Sequence, residues 1–456
     1  MSITIKKNDE FETEILDITH EGFGVAKEDS FPIFIENAIP GEKVVLRITK
    51  VLKRFAYGRI MKWIETSEDR VEVTDTLGTR VGTMPLQHIK YEAQLKYKQK
   101  IVRDTLAREI DMIDIEVLPT LGAENPWSYR NKAQIPVREI HDQLETGFFK
   151  RGTHDLVPIE NYHIQDPIID EVILAVRDIL RKYKIKAYDE DKHKGDIRHI
   201  IVRRGHYTDE IMVILVTRTE NLKHSESIVE ALVSQYPEIV SVVQNINTER
   251  TNVIMGRTVN VLYGNDWYED ELLGKRYKIS SQSFYQVNAL QTEVLYQKAL
   301  EFADITGDDN VIDAYCGIGT ISLNLADKAK HVYAVEVVPQ AIDMAKDNAN
   351  INNISNVDFV AGKAEDVMAS WVSDGIEIDV IVVDPPRKGL DPKFIEASLK
   401  TSPKRIVYVS CNPATLARDL KIYQECGYTV ELVQPVDMFP QTTHVETVVL
   451  MSRVDK

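Results

Sequence analysis

Cysteine is scarce in this chain, three among 456 residues, and no two stand at C-x-x-C spacing. That excludes a disulfide framework and a zinc ribbon. With no leading apolar segment, the expected compartment is the cytoplasm. Long hydrophobic runs are missing as well: none approaches the ~20 residues that a membrane span needs. No internal repeat and no low-complexity tract occurs. Positive charge is in deficit, with 55 Lys and Arg against 71 Asp and Glu, a net charge of -16. As a sum this argues against a nucleic-acid partner, because a phosphate backbone rewards clustered cations; the distribution of charge decides more than the total. The length is that of two or three domains, each with ample core.

The cations that are present are grouped. Residues 1–63 read as a small all-β unit, in which Val44, Leu46 and Ile48 alternate with Val45, Arg47 and Thr49, and Gly22, Gly24, Pro40-Gly41 and Gly58 mark turns. A five-stranded barrel of the OB type is the economical expectation. Between Pro40 and Lys62 the basic residues Lys43, Arg47, Lys50, Lys53, Arg54, Arg59 and Lys62 face one acid, Glu42, with Phe55, Tyr57 and Trp63 interleaved. Basic charge beside aromatic faces suits single-stranded RNA, although a solvated strand face gives the same pattern. Residues 64–280 read as a central α+β region. A helix from about Tyr91 to Arg108 carries Lys96, Lys98, Lys100 and Arg103. Tyr129-Arg130-Asn131-Lys132 opens a run of strands, and Ile197 to Arg204 alternates so that Arg198 and its basic neighbours can share one face of a sheet. Lys53, Arg54, Arg59, Arg130, Lys132, Arg198 and Arg203 are the candidate RNA contacts.

Residues 281–456 alternate apolar runs with helical patterns at the rhythm of a doubly wound, mostly parallel sheet of seven strands. Its first strand, Val311-Ile312, closes on Asp313 and turns through Gly317, Gly319 and Thr320 into a helical pattern. Glycines there let the backbone bend and let a ligand approach. The next strand ends in Glu336, placed to accept hydrogen bonds from ribose hydroxyls. Ser322 stands where a dinucleotide fingerprint has its third small glycine, and the turn is poorly built for a pyrophosphate. S-adenosylmethionine, with a ribose and no phosphate, fits better than NAD.

Three further strand ends carry reactive groups: Asp384-Pro385-Pro386-Arg387, Ser410-Cys411-Asn412-Pro413, and Phe439-Pro440 through Glu446. Taken alone, Cys411 reads as a small buried hydrophobe and Asp384 as a turn cap. Beside a methyl donor, a thiol and a carboxylate have a definite meaning. Adding a thiolate to C6 of uracil makes C5 nucleophilic, and a base must then take the C5 hydrogen before the thiolate can leave. Cys411 would be the nucleophile and Glu446 the base. An N-methylating enzyme needs neither.

These words resemble those of the RNA (uracil-C5)-methyltransferases: Phe284-Tyr285-Gln286-Val287-Asn288, the glycine turn with Tyr315, Glu336, Asp384 to Arg387, and the long word Ser410-Cys411-Asn412-Pro413-Ala414-Thr415-Leu416-Ala417-Arg418-Asp419. The likeness covers roughly the last 175 residues, and upstream the first 60 or so look like the TRAM barrel of many members. It implies that Gln286, Tyr315, Glu336 and Asp384 line an S-adenosylmethionine site, that Cys411 and Glu446 do the chemistry, and that the helix near residues 91–115 packs with the catalytic domain. Within the family the TRAM-bearing branch mostly modifies 23S ribosomal RNA, and the Gram-positive type that treats two 23S sites is the nearest likeness. Several members hold a [4Fe-4S] cluster on four central cysteines; residues 64–280 here contain none, so no cluster and no other metal is expected. A monomer acting on 23S rRNA is the expectation. The rivals are a tRNA uracil-C5 enzyme, a cytosine-C5 enzyme, an NAD-dependent oxidoreductase and a non-catalytic assembly factor.

Overall fold

The computed structural model describes residues 5–112 and 115–454. Near the N-terminus one bent strand closes a ring. Glu10–Glu14 pairs antiparallel with Lys43–Val51, and beyond the buried Ile15 the same segment pairs, through Asp17–Ile18, with Gly24–Glu28. Phe31–Ile35 and Ala56–Glu65 complete the sheet. Counted with the bent strand as one, this is a five-stranded barrel. Alternation puts Val44, Leu46 and Ile48 wholly inside, each contributing about 1.5–3 kcal/mol by burial. The buried Glu42 carboxylate is held by Arg70 and by the amide of Ile39, 3.0 Å away.

Next comes a seven-stranded sheet ordered Leu156–Pro158, Gln143–Phe149, Lys132–Ile140, Ile197–Arg204, Ile211–Thr217, Ile239–Ile246 and Thr258–Gly264. Helices Pro167–Lys182 and Ser225–Gln235 cover one face through Ile169, Val172, Val176, Ile228 and Leu232. The other face offers Ile201, Met212, Ile214 and Val216 to an apolar core that runs without a break through the hairpin residues Tyr268 and Tyr277 into Val407 and Val409 of the last sheet. The two sheets therefore share one core.

The last sheet has eight strands, not seven. The order is Val357–Ala361, His331–Glu336, Asn310–Ala314, Val380–Val383, Arg405–Ser410, Glu446–Arg453, Tyr428–Val436 and Glu116–Val117. Glu446–Arg453 runs antiparallel to both neighbours, while the other pairings are parallel. The eighth strand comes from far upstream and is two residues long, too short for any periodicity to reveal. Just before it, helix Tyr91–Leu106 packs on helix Pro413–Glu425. Its Lys98 is wholly buried against Asp437, so that lysine is no part of a basic outer face. Among the described residues no helix is long and apolar enough to cross a membrane.

Candidate active site

The glycine turn follows strand Asn310–Ala314. Tyr315 takes a left-handed φ of 69°, and Gly317 and Gly319 have φ of 55° and 85°. At Gly319 a Cβ would come within 3.1 Å of the Phe359 ring, whereas at Gly317 it would enter open space. The helix after the turn is a single turn, Ser322–Leu325. Ser322 donates its hydroxyl to the buried Asp313, which explains a serine where a glycine would serve a dinucleotide. Burial pushes Asp313 up to about 7, with Asp384 and Glu336 adding repulsion. The Glu336 carboxylate accepts the amides of Gly317, at 3.3 Å, and Val338, at 3.0 Å. Thr320 sits at 3.3 Å from the Tyr296 hydroxyl. Asn131 orients the Gln286 segment, taking the Gln286 carbonyl at 3.2 Å with its side chain and the Val287 carbonyl at 2.9 Å with its backbone.

Cys411 and Glu446 meet through strand register. Arg405–Ser410 and Glu446–Arg453 pair with Ser410 opposite Thr447, so Cys411, just past the end of one strand, lies beside Glu446 at the start of the other, close enough for the Glu446 charge to act on the thiol. Glu446 is 5% exposed, and Cys411 is half-buried. Burial raises Glu446 to about 8, helped by the Asp384 charge and opposed by Arg387. Burial raises the Cys411 thiol to about 11, with Glu446 and Asp384 adding to it and Arg387 again opposing. Burial also carries Asp384 up to about 7. The site is thus acidic, short of positive charge and partly protonated at neutral pH; a cation entering it would favour the thiolate and both carboxylates.

The motif words interlock. Asn412 caps helix Pro413–Glu425, and its side-chain amide reaches the Arg387 carbonyl at 3.2 Å, as does the Thr415 hydroxyl. Arg418 donates to the Lys388 carbonyl at 3.0 Å, and Asp419 accepts the Leu390 amide and the Tyr408 hydroxyl, each at 2.8 Å. The long word around Cys411 therefore holds the Asp384 to Leu390 loop as well as the thiol.

The candidate RNA contacts divide. Lys53, Arg54 and Arg59 are exposed on the barrel, near Phe34, Phe55 and Tyr57, whose ring centroids lie 5.2–6.2 Å apart. Arg130 and Lys132 are half-buried near Gln286. Burial, with Arg203 and Arg130 nearby, lowers Lys132 to about 7. Arg198 and Arg203 are buried within the protein. Arg198 spends its guanidinium on the carbonyls of Asn247, Glu249 and Thr251 at 2.7–2.9 Å, and Arg203 donates to Ser280 at 3.1 Å and Ser283 at 2.8 Å. Both faces of the central strands Ile197–Arg204 and Ile211–Thr217 are covered, so these two arginines point into protein. Arg387, ambiguous in sequence, acts on both Cys411 and Glu446 and had no signal beyond its place in the Asp-Pro-Pro-Arg word.

A mostly parallel sheet with a glycine turn after its first strand and an acceptor carboxylate ending the second is built to hold an adenosine-bearing ligand, the arrangement of an S-adenosylmethionine-dependent methyltransferase as well as of a dinucleotide enzyme. The residues suit that donor: Gly317 leaves open space, Asp313 keeps one buried oxygen without a partner, and Glu336 borders the turn. A family model described as tRNA (uracil-5-)-methyltransferase matches residues 90–454, and a TRAM domain model matches residues 6–61. The chain belongs to this family of RNA (uracil-5) methyltransferases. It is 51% identical over 449 residues to an "Uncharacterized RNA methyltransferase" of Enterococcus faecalis, covering 98% of each chain, and 52% identical over 454 residues to one from Lactiplantibacillus plantarum, covering 99% of each. The crystal structure of Pyrococcus abyssi tRNA (uracil-54, C5)-methyltransferase in complex with S-adenosyl-L-homocysteine superposes with a TM-score of 0.76 at 27% identity, over 97% of this chain and 100% of that one. Among the described residues no group of three or more His, Cys, Asp or Glu side chains is arranged to hold a metal.

Proposed function

We propose that the protein makes 5-methyluridine in 23S ribosomal RNA, in the cytoplasm, through a covalent bond from Cys411 to the target base. The observation that supports it is the meeting of two paired strand ends, which brings Cys411 and Glu446 together with Asp384 and Arg387. The Cys411 sulfur, as thiolate, adds to C6 of a flipped-out uracil, and the ring electrons move through C5 to O4. Gln286, Tyr315, Glu336, Asp384 and the glycine turn of Gly317, Gly319 and Thr320 would hold S-adenosylmethionine, whose sulfonium would supply an electrophilic methyl group to that C5 and leave as S-adenosylhomocysteine. Glu446, ionised, then takes the C5 hydrogen; its electron pair forms the C5–C6 double bond and the C6–S bond breaks, returning the thiolate. Raising Glu446 toward 8 makes it a stronger base once ionised, and Arg387 tempers both groups.

Lys53, Arg54, Arg59, Arg130 and Lys132 are proposed to hold the RNA backbone. A tRNA target is the second reading, favoured by the Pyrococcus abyssi enzyme, whose name specifies a tRNA uridine and whose whole length this chain matches. Mass-spectrometric mapping of 5-methyluridine in rRNA and tRNA from cells with and without the chain separates the two. Loss of 23S modification alone is the expected result; loss confined to tRNA would overturn the rRNA assignment.

A further inference from the structure

The connection from Asp437 to Val445 leads into Glu446 from strand Tyr428–Val436. A connection of this kind is ordinarily the loosest part of a sheet. Here five consecutive backbone carbonyls are each taken by a donor from a distant part of the chain. Gln291 holds Asp437 O at 3.0 Å, Asn288 holds Met438 O at 3.0 Å, Lys98 holds Phe439 O at 3.1 Å, and Tyr129 holds Pro440 O at 3.1 Å. The backbone amide of Leu86 holds Gln441 O at 3.1 Å. Gln94 adds a reciprocal pair with Gln441, its amide nitrogen 2.9 Å from the Gln441 side-chain oxygen and its own oxygen 3.1 Å from the Gln441 amide.

Lys98 is central to this suspension. It is wholly buried, and its ammonium meets both the Asp437 carboxylate and the Phe439 carbonyl. Tyr91 supplies Asp437 with a second donor at 2.9 Å. A buried ion pair is a weak source of stability, because desolvation offsets most of its attraction; what it fixes is geometry. The same helix, Tyr91–Leu106, touches the barrel through Tyr97 and the Thr19 carbonyl and through Lys100 and Asp17. It therefore lies between the barrel and the segment that carries Glu446.

We infer that Lys98 is a positioning residue for Glu446: by fixing Asp437 and Phe439 it sets where the Glu446 carboxylate stands when the C5 hydrogen must be removed. This rests on the reading of Glu446 as the base. Misplacing a reacting group by about 1 Å costs up to a hundredfold in rate, so loss of the suspension should slow proton removal while leaving thiolate addition and RNA binding in place.

The test uses the full chain with Lys98→Met/Asp437→Leu, which removes both charges together and so leaves no buried ion alone. The readouts are the fraction of protein covalently joined to RNA on a denaturing gel at saturating substrates, and the isotope effect on kcat with target uridine deuterated at C5. We expect adduct to accumulate and a primary isotope effect to appear, with proton removal slowed on the order of tenfold to a hundredfold and KM for RNA unchanged. Tyr129→Phe, which deletes one donor and no charge, is the milder arm, carries the inference if the double variant does not fold, and should move both readouts the same way by less. Folded variants that turn over with neither adduct nor isotope effect would overturn the role of Lys98. Glu446→Gln is run beside them: if it too shows neither, the reading of Glu446 falls and this inference with it, whereas a positive Glu446→Gln with silent Lys98 and Tyr129 variants sinks this inference alone.

Discussion

The barrel and the middle sheet both carry arginines on alternating strands, yet they use them in opposite ways. On the barrel, Arg54 and Arg59 stand in water near the half-buried rings of Phe34, Phe55 and Tyr57. In the middle sheet, Arg198 and Arg203 are 3% and 2% exposed and donate to five backbone carbonyls between them. A strand pattern reports which residues share a face, and it does not report what lies against that face. A sheet covered on both sides turns its cations into struts. A barrel covered only by its own interior leaves them for a ligand.

The largest effect that could break this contrast is on stability. Arg203→Ala should destabilise folding by about 3 kcal/mol, since it leaves two buried carbonyls without a donor and opens a cavity. Urea unfolding measures it, and a loss below about 0.5 kcal/mol, the size of an ordinary surface change, would return Arg203 to the RNA-contact set. The complementary change, Lys53→Ala/Arg54→Ala/Arg59→Ala, should leave the urea midpoint alone. It should weaken RNA binding and flatten the dependence of log K on log salt by roughly 2; an unchanged slope would remove the barrel from the interface.

The cleft offers a third, smaller contrast, between charges that are free and charges that burial suppresses. Glu446 has its pKa raised on folding, from 4.5 to about 8. The unfolded chain therefore releases this proton first, and stability falls as pH rises from about 4.5 through 8. Glu446→Gln should melt like the parent near pH 4 and become progressively more stable than the parent as the pH rises to about 8.5. A gap independent of pH would mean that the carboxylate is not held protonated.

Much of the catalytic sheet was legible because strands buried on both faces read as continuous apolar runs ending in polar words, as at Val383-Asp384 and Ser410-Cys411. The same local words named the thiol and the carboxylate. What could not be read is whatever depends on meeting a distant partner. The strand Glu116–Val117 has too few residues to show a period. Lys98 looked like one more surface cation in a basic helix, and its partner Asp437 lies 339 residues away. The carbonyls that absorb Arg198 and Arg203 leave no mark in composition at all.

RNA in which the target uridine carries fluorine at C5 tests the pairing of thiol and carboxylate most directly, because a base cannot remove fluorine as it removes a proton. With S-adenosylmethionine present, the parent chain should become covalently joined to this RNA, with the link mapped by peptide mass to Cys411, and Cys411→Ala should show no link. A link at another residue, or methylated product from Cys411→Ala on ordinary RNA, would contradict the account.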